Sequence, residues 1–128
     1  MKKKVLLIDD EVELLDVIQD LIDVHVENCE IDMAASGAEA LKLCEENLYD
    51  VISLDFKMPS MTGGEFLDLL VEKDNPNAHK PVIILTAFPL DAEYLTEKHK
   101  VYLAQKPISV DEYIKTVRLV LSSERQTA

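Results

Sequence analysis

Positive charge is scarce in this sequence: 13 Lys and Arg stand against 25 Asp and Glu, a formal net charge of −12 with a pI near 4.5. Phosphate backbones are gripped by clustered cations that release counterions, so no direct contact with nucleic acid is expected. No uninterrupted apolar run exceeds four residues, against the roughly 20 needed to cross a bilayer, so no membrane role is expected either. A basic start, Lys2, Lys3 and Lys4, leads into an apolar run that stops at Asp9 without a small-residue cleavage site, which does not make a signal peptide. The expected location is the cytoplasm. Cysteine is rare too: Cys29 and Cys44 form no CxxC and have no neighbouring His pair, so buried reduced thiols are expected rather than a disulfide or a metal site. Internal repeats and low-complexity tracts are absent.

What remains is ample for one folded domain. The chain has 128 residues, of which 48% are apolar and 30% charged, enough for a core and a solvated surface. A single domain over residues 1–122 is expected, with 123–128 as a tail or linker stub.

Short aliphatic runs alternate five times with longer amphipathic segments, the pattern of a parallel sheet covered by helices on both faces. The predicted strands are residues 4–9, 30–34, 51–55, 82–86 and 101–105. The first, third and fourth are mostly apolar, as strands buried on both faces should be, and the mixed second and fifth suit sheet edges. Leu14, Leu15, Ile18, Leu21, Ile22 and His25 recur at spacings of three and four, which predicts a first helix over 11–26. Ser36 followed by Glu39 is a capping-box pattern for a second helix reaching 46, with Ala40, Leu41 and Cys44 inward. A third helix is predicted over 64–72, a short fourth over 91–98 after Pro89, and a fifth after Ser109 with Tyr113, Ile114, Val117, Val120 and Leu121 inward.

In an open parallel sheet the reactive crevice lies at the carboxyl ends of the strands. Asp9 and Asp10 end the first strand, Asp55 the third and Thr86 the fourth, and Lys106 follows the fifth. Two like charges about 4 Å apart at an effective dielectric of about 20 repel by about 4 kcal/mol, so three gathered carboxylates call for a cation. Hard oxygen ligands with open positions suit Mg²⁺. A divalent ion, the Lys106 ammonium and the Thr86 hydroxyl around Asp55 would suit phosphoryl transfer, with Asp55 as nucleophile. Individually these residues have ordinary explanations: Asp10 as an N-cap of the first helix, Thr86 as a β-former. His25, His79 and His99 lack neighbours that would make them ligands and are expected at the surface or boundary.

Four segments carry a resemblance. Val5 to Glu11 (VLLIDDE), Leu54 to Gly63 (LDFKMPSMTG), Ile84 to Ala87 (ILTA) and Gln105 to Ile108 (QKPI), in this order and separation, resemble the receiver domains of two-component response regulators. The resemblance implies a flavodoxin-like doubly wound (βα)5 fold with five parallel strands in the order 2-1-3-4-5. It also implies a bacterial phosphorelay module, not an enzyme acting on external substrates. Asp55 matches the aspartate that takes a phosphoryl group from a phosphohistidine. Asp10, Asp55 and the Lys57 backbone carbonyl match the Mg²⁺ ligands, with Asp9 as an outer partner through water. Lys106 matches the lysine that pairs with the phosphoryl group, and Pro107 the proline after a cis bond. Thr86 matches the switch hydroxyl and Ala87 the small residue whose N–H faces the phosphate. Implied partners are a sensor histidine kinase or histidine phosphotransfer protein, and a downstream effector or fused output domain. The output surface would be the fourth helix, fifth strand and fifth helix, where phosphorylation-dependent dimerisation can also occur.

The chain departs from the family pattern at several of these positions. Where an aromatic residue usually precedes the lysine by three, Leu103 stands, and Tyr102 should point to the opposite side of the strand. Lys57 and Phe88 lie two residues after Asp55 and Thr86, flanking the site. Phe88 is expected to shield an acyl phosphate from water, and Lys57 to pair either with the phosphate or with Asp55. Phe56, Met58, Pro59 and the first helix are the expected docking surface for the phosphodonor. Leu103 and Lys57 also motivate an alternative, a receiver-like binding module that signals without phosphorylation. A Mg²⁺-dependent phosphohydrolase of another α/β family is disfavoured by Lys57, where a second acid would be needed.

Overall fold

The computed structural model describes residues 2–126. Five strands, β1 (Lys3–Ile8), β2 (Cys29–Ala34), β3 (Val51–Asp55), β4 (Val82–Thr86) and β5 (Val101–Gln105), form one parallel sheet in the order β2-β1-β3-β4-β5. The expected α/β architecture and strand order are both present. β3 and β4 are buried along their whole length, whereas β2 and β5, the mixed strands, form the two edges.

Strand alternation sends side chains to two apolar layers. Leu6, Ile8, Ile52, Leu54 and Ile84 face α2 (Gly37–Glu46) and α3 (Gly63–Glu72), together with Ala92 of α4 (Pro89–Ala92) and Leu95 of α5 (Leu95–Lys98). Val5, Leu7, Val51, Ile83 and Leu85 face α1 (Val12–His25) and α6 (Val110–Gln126). The chain runs to β2 on one side of β1 and then crosses to β3 on the other, so the crevice between the carboxyl ends of β1 and β3 is the topological switch point.

Side-chain caps mark the starts of α2 and α3. Ser36 accepts from the Glu39 N–H at 3.1 Å, as its spacing predicts. α3 carries a complete capping box between Thr62 and Glu65, a pattern present in the sequence but not used in the prediction. Ser109 approaches the Glu112 N–H at only 3.5 Å and is a loose cap for α6. The predicted fourth helix is two short ones, because the Glu93 carbonyl accepts from both the Thr96 N–H (3.0 Å) and the Thr96 hydroxyl (2.7 Å), tightening the chain between them. α6 continues through Gln126, so most of the expected tail is helical, and Thr127 and Ala128 lie outside the described residues.

His25 does not join the inward stripe of α1 and is exposed, whereas His99 lies at the boundary, 3.3 Å from Asp68. Cys44 is buried and Cys29 half-buried, both as free thiols, and burial pushes Cys44 up to about 12. Among the described residues, no helix is long and apolar enough to cross a membrane.

Candidate phosphoacceptor site

The expected residues converge at the carboxyl edge of the sheet. β1 ends at Ile8, and the Asp9 N–H donates to the Ala34 carbonyl at 3.1 Å, carrying the β1–β2 ladder one residue further. Asp9 is 1% exposed, Asp10 beside it is exposed, and Asp55 at the end of β3 is buried. Carboxylate oxygens of Asp9, Asp10 and Asp55 lie within 4.8 Å of one another. Asp10 does not cap α1: the N-cap is Glu11, and Asp9 Oδ1 accepts from the Glu11 N–H at 2.9 Å.

Lys106 answers this negative charge from the other side. Its Nζ lies 3.1 Å from Asp55 Oδ1, 3.2 Å from Asp9 Oδ2 and 3.9 Å from Glu11 Oε1. The Lys106 N–H donates to the Thr86 carbonyl at 2.9 Å, which holds the lysine beside the end of β4, and the Lys106–Pro107 bond is cis as expected. Burial and then the Asp9 carboxylate push Asp55 up from 3.8 to about 6, and Lys106 offsets only part of the rise. Burial pulls the Lys106 ammonium down, but the contacts with Asp55 and Asp9 outweigh it and leave it raised. One lysine thus serves two buried carboxylates.

Thr86 is buried, and its Oγ1 accepts from the Phe88 N–H at 3.1 Å, which leaves the hydroxyl proton free to donate elsewhere. Asp55, Thr86, Ala87, Lys106, Lys57, Phe88 and Glu11 line a cavity of about 170 Å³. The two flanking residues meet each other, with Lys57 Nζ 5.6 Å from the centroid of the Phe88 ring. Of the two expectations for Lys57, pairing with Asp55 is not seen among the described residues, where Asp55 pairs with Lys106. Leu103 faces the α3 side of the sheet and Tyr102 the α1–α6 side, the opposed orientation expected from strand alternation.

One expectation fails here. Phe56 and Met58 are buried in the core rather than offered as a docking face, because the chain turns back after β3 and the Gly63 N–H donates to the Phe56 carbonyl at 2.8 Å. Of that trio only Pro59 is exposed. Exposed apolar side chains lie instead at Val12, Val17 and Val24 of α1 and at Phe88, Leu90 and Tyr94 around α4.

Two contributors escaped the sequence reading. Glu11 reaches the cavity and Lys106 as the third acid of the run that begins at Asp9, a signal already in the sequence. Gly63 packs against the acceptor strand: a Cβ there would lie 3.2 Å from the Asp55 carbonyl oxygen and 3.3 Å from the Phe56 Cα. The Gly63-Gly64 pair hinted at close approach, but only the fold identifies what is approached.

A doubly wound parallel sheet with an acidic cluster, a lysine and a threonine at its switch point places the chain in the receiver-like class of signalling domains. Residues 5–118 match the response regulator receiver domain family, and the chain belongs to that family. It is 32% identical over 123 residues to the polar-differentiation response regulator DivK of Brucella ovis, covering 94% of this chain and 98% of that protein. A receiver domain from Clostridium thermocellum is 30% identical with a TM-score of 0.81, covering 98% of this chain and 99% of that one. The chemotaxis protein CheY4 of Vibrio cholerae is 26% identical with a TM-score of 0.82, over 94% and 99% of the two chains. Receiver domains are two-component signalling modules rather than turnover enzymes, and they exchange with kinases or phosphotransfer proteins on one side and output partners on the other. The likenesses do not favour a phosphorylation-independent module.

Proposed function

We propose that the chain accepts a phosphoryl group on Asp55 from a phosphohistidine of a sensor histidine kinase or histidine phosphotransfer protein, with Mg²⁺ as cofactor. The observation that carries this reading is Lys106, whose Nζ lies 3.1 Å from Asp55 and 3.2 Å from Asp9 in the cavity beside Thr86. An Asp55 carboxylate oxygen attacks phosphorus, a P–O bond forms, the P–N bond breaks, and the electron pair leaves with the imidazole. Lys106 is positioned to exchange a carboxylate contact for the oxygens of the transferred group. The Thr86 hydroxyl, with its proton free, and the Ala87 backbone N–H are the remaining donors at the cavity wall.

The donor set fits Mg²⁺: hard carboxylate oxygens of Asp9, Asp10 and Asp55 within 4.8 Å of one another, Asp10 being open to solvent. Asp10, Asp55 and the Lys57 backbone carbonyl are the proposed direct ligands, with Asp9 holding Lys106 and acting as the outer acid. When bound, the ion supplies charge neutralisation for the acidic cluster and the incoming phosphoryl oxygens. The response is read at the surface formed by α4, α5, β5 and α6, by an effector, an attached output domain or a second copy of the chain. The proposed domain spans 1–122, and the proposed location is the cytoplasm.

The test is intact mass after incubation with acetyl phosphate, with and without Mg²⁺, beside Asp55→Asn. A single phosphoryl adduct that requires Mg²⁺ and is lost in Asp55→Asn is the expected result. No adduct in folded, Mg²⁺-binding protein would overturn the reading in favour of a module that signals by contact alone.

A further inference from the structure

A buried polar contact crosses the apolar layer between β3 and α6. Tyr113 Oη donates to Ser53 Oγ at 2.7 Å, with Tyr113 2% and Ser53 3% exposed. Burial pushes the Tyr113 phenol up to about 12, with the Ser53 contact working the other way, so the hydroxyl keeps its proton. Ser53 lies two residues before Asp55, hence on the same side of β3. Tyr113 also lines a cavity of about 250 Å³ between β5 and α6, with Leu103, Ile108 and Glu112.

The same helix is tied to β3 a second time. Lys106 contacts Asp55 at 3.1 Å, and only Pro107, Ile108 and Ser109 separate it from the first residue of α6. The start of α6 is therefore attached to β3 at two levels: at the strand end through the Lys106 side chain, and one pleat deeper through Tyr113. An event at Asp55 that draws the Lys106 side chain reaches the 107–109 segment through the Lys106 backbone, which the Thr86 carbonyl anchors on the β4 side. Whether α6 follows depends on the deeper attachment, because a buried hydroxyl cannot leave its partner without losing a hydrogen bond that no water replaces.

We propose that the Tyr113–Ser53 hydrogen bond is the fixed pivot of α6, confining displacement of Lys106 to the 107–109 segment and the adjoining wall of the β5–α6 cavity. Tyr113 and Ser53 are positioning residues, and the proposal deepens the phosphoacceptor reading by naming where its signal is delivered. Leu103, which brings no hydroxyl to this cavity, lies on the opposite side of the sheet from Ser53 and cannot replace the contact.

The test measures backbone amide chemical shifts in the full chain. Lys106→Ala releases the upper attachment without any phosphorylation, and its shift changes are mapped along α6 in two backgrounds, with Tyr113 intact and with Tyr113→Phe. With Tyr113 intact, the changes are expected to stop near residue 113. With Tyr113→Phe they are expected to extend by two further turns, to Leu121. Equal reach in the two backgrounds overturns the proposal. Ser53→Ala breaks the same bond from the strand side and must reproduce the Tyr113→Phe result. It also decides the question if Tyr113→Phe does not fold, and a reach ending near residue 113 in Ser53→Ala overturns the proposal. Acetyl phosphate with Mg²⁺ forms a second arm, in which the adduct is expected to give the same two patterns. Failure to form an adduct removes the phosphoacceptor reading, while the Lys106→Ala comparison still decides the pivot.

Discussion

The Lys57 ammonium lies 5.6 Å from the centroid of the Phe88 ring, at the mouth of the cavity that contains Asp55. Phe88 is 61% exposed, and the Lys57 ammonium is the group that faces its ring. Both residues line the cavity that contains Asp55 and Lys106.

Phe88→Ala removes the apolar cover and frees Lys57. Water would then reach the acyl phosphate from the side that Phe88 and Lys57 line. Loss of the aspartyl phosphate is expected to quicken severalfold in Phe88→Ala, followed by intact mass after removal of the phosphodonor. An unchanged or longer lifetime would refute the shielding role.

Asp55 makes the metal-free protein less stable as pH rises. Its pKa is about 6 in the fold against an ordinary 3.8, so between these values the native state binds more protons than the unfolded state. Stability therefore falls through that window, by on the order of 3 kcal/mol for this group, and levels off above it. Asp55→Asn lacks this loss. Urea midpoints measured from pH 4 to 7 in the presence of a chelator should show the variant gaining on wild type up to about pH 6. A constant gap would show that Asp55 is not raised.

Gly63 and Gly37 both sit in crowded places but should respond differently to alanine. At Gly63 the added Cβ meets the Asp55 carbonyl and the Phe56 Cα, backbone atoms that cannot yield. At Gly37 the nearest atoms belong to the side chain of Met61, a flexible group. Gly63→Ala is expected to cost about 1–3 kcal/mol and to shift the amide signals of Asp55 and Phe56, and Gly37→Ala about 1 kcal/mol or less. Chemical denaturation gives the first comparison and amide spectra the second.

Asn77 joins α2, the loop that leads into β3 and the turn Pro76–His79 at the far end of the sheet from the site. Its Nδ2 donates to the carbonyls of Cys44 (3.1 Å) and Asn47 (2.8 Å), and its Oδ1 accepts from the Tyr49 N–H at 2.8 Å. Asn77→Ala strands these buried backbone groups and is expected to destabilise by roughly 3 kcal/mol, without preventing formation of the adduct. Equal loss of stability and of phosphorylation would mean that this network reaches Asp55.

The sheet was legible because its strands are separate apolar runs and its edges are compositionally mixed, so β2 and β5 fell where expected. The helix ends were legible where a cap residue stands in the sequence, as at Ser36. The division between α4 and α5 was not, since it depends on which carbonyl the Thr96 hydroxyl finds. The loop after Asp55 misled for a related reason: an apolar residue following a strand reads equally well as exposed surface or returning core.

By itself the sequence determined that Asp9, Asp10, Asp55, Thr86 and Lys106 meet at one edge, because strand-end positions in a parallel sheet converge whatever the packing above them. Only the tertiary structure decided that Lys57 lies on Phe88, that Phe56 and Met58 turn inward, and that Tyr113 reaches Ser53 across 60 residues of chain. Each of these depends on the distance between side chains from different elements. Periodicity assigns a residue to a face, but it does not say which partner waits there.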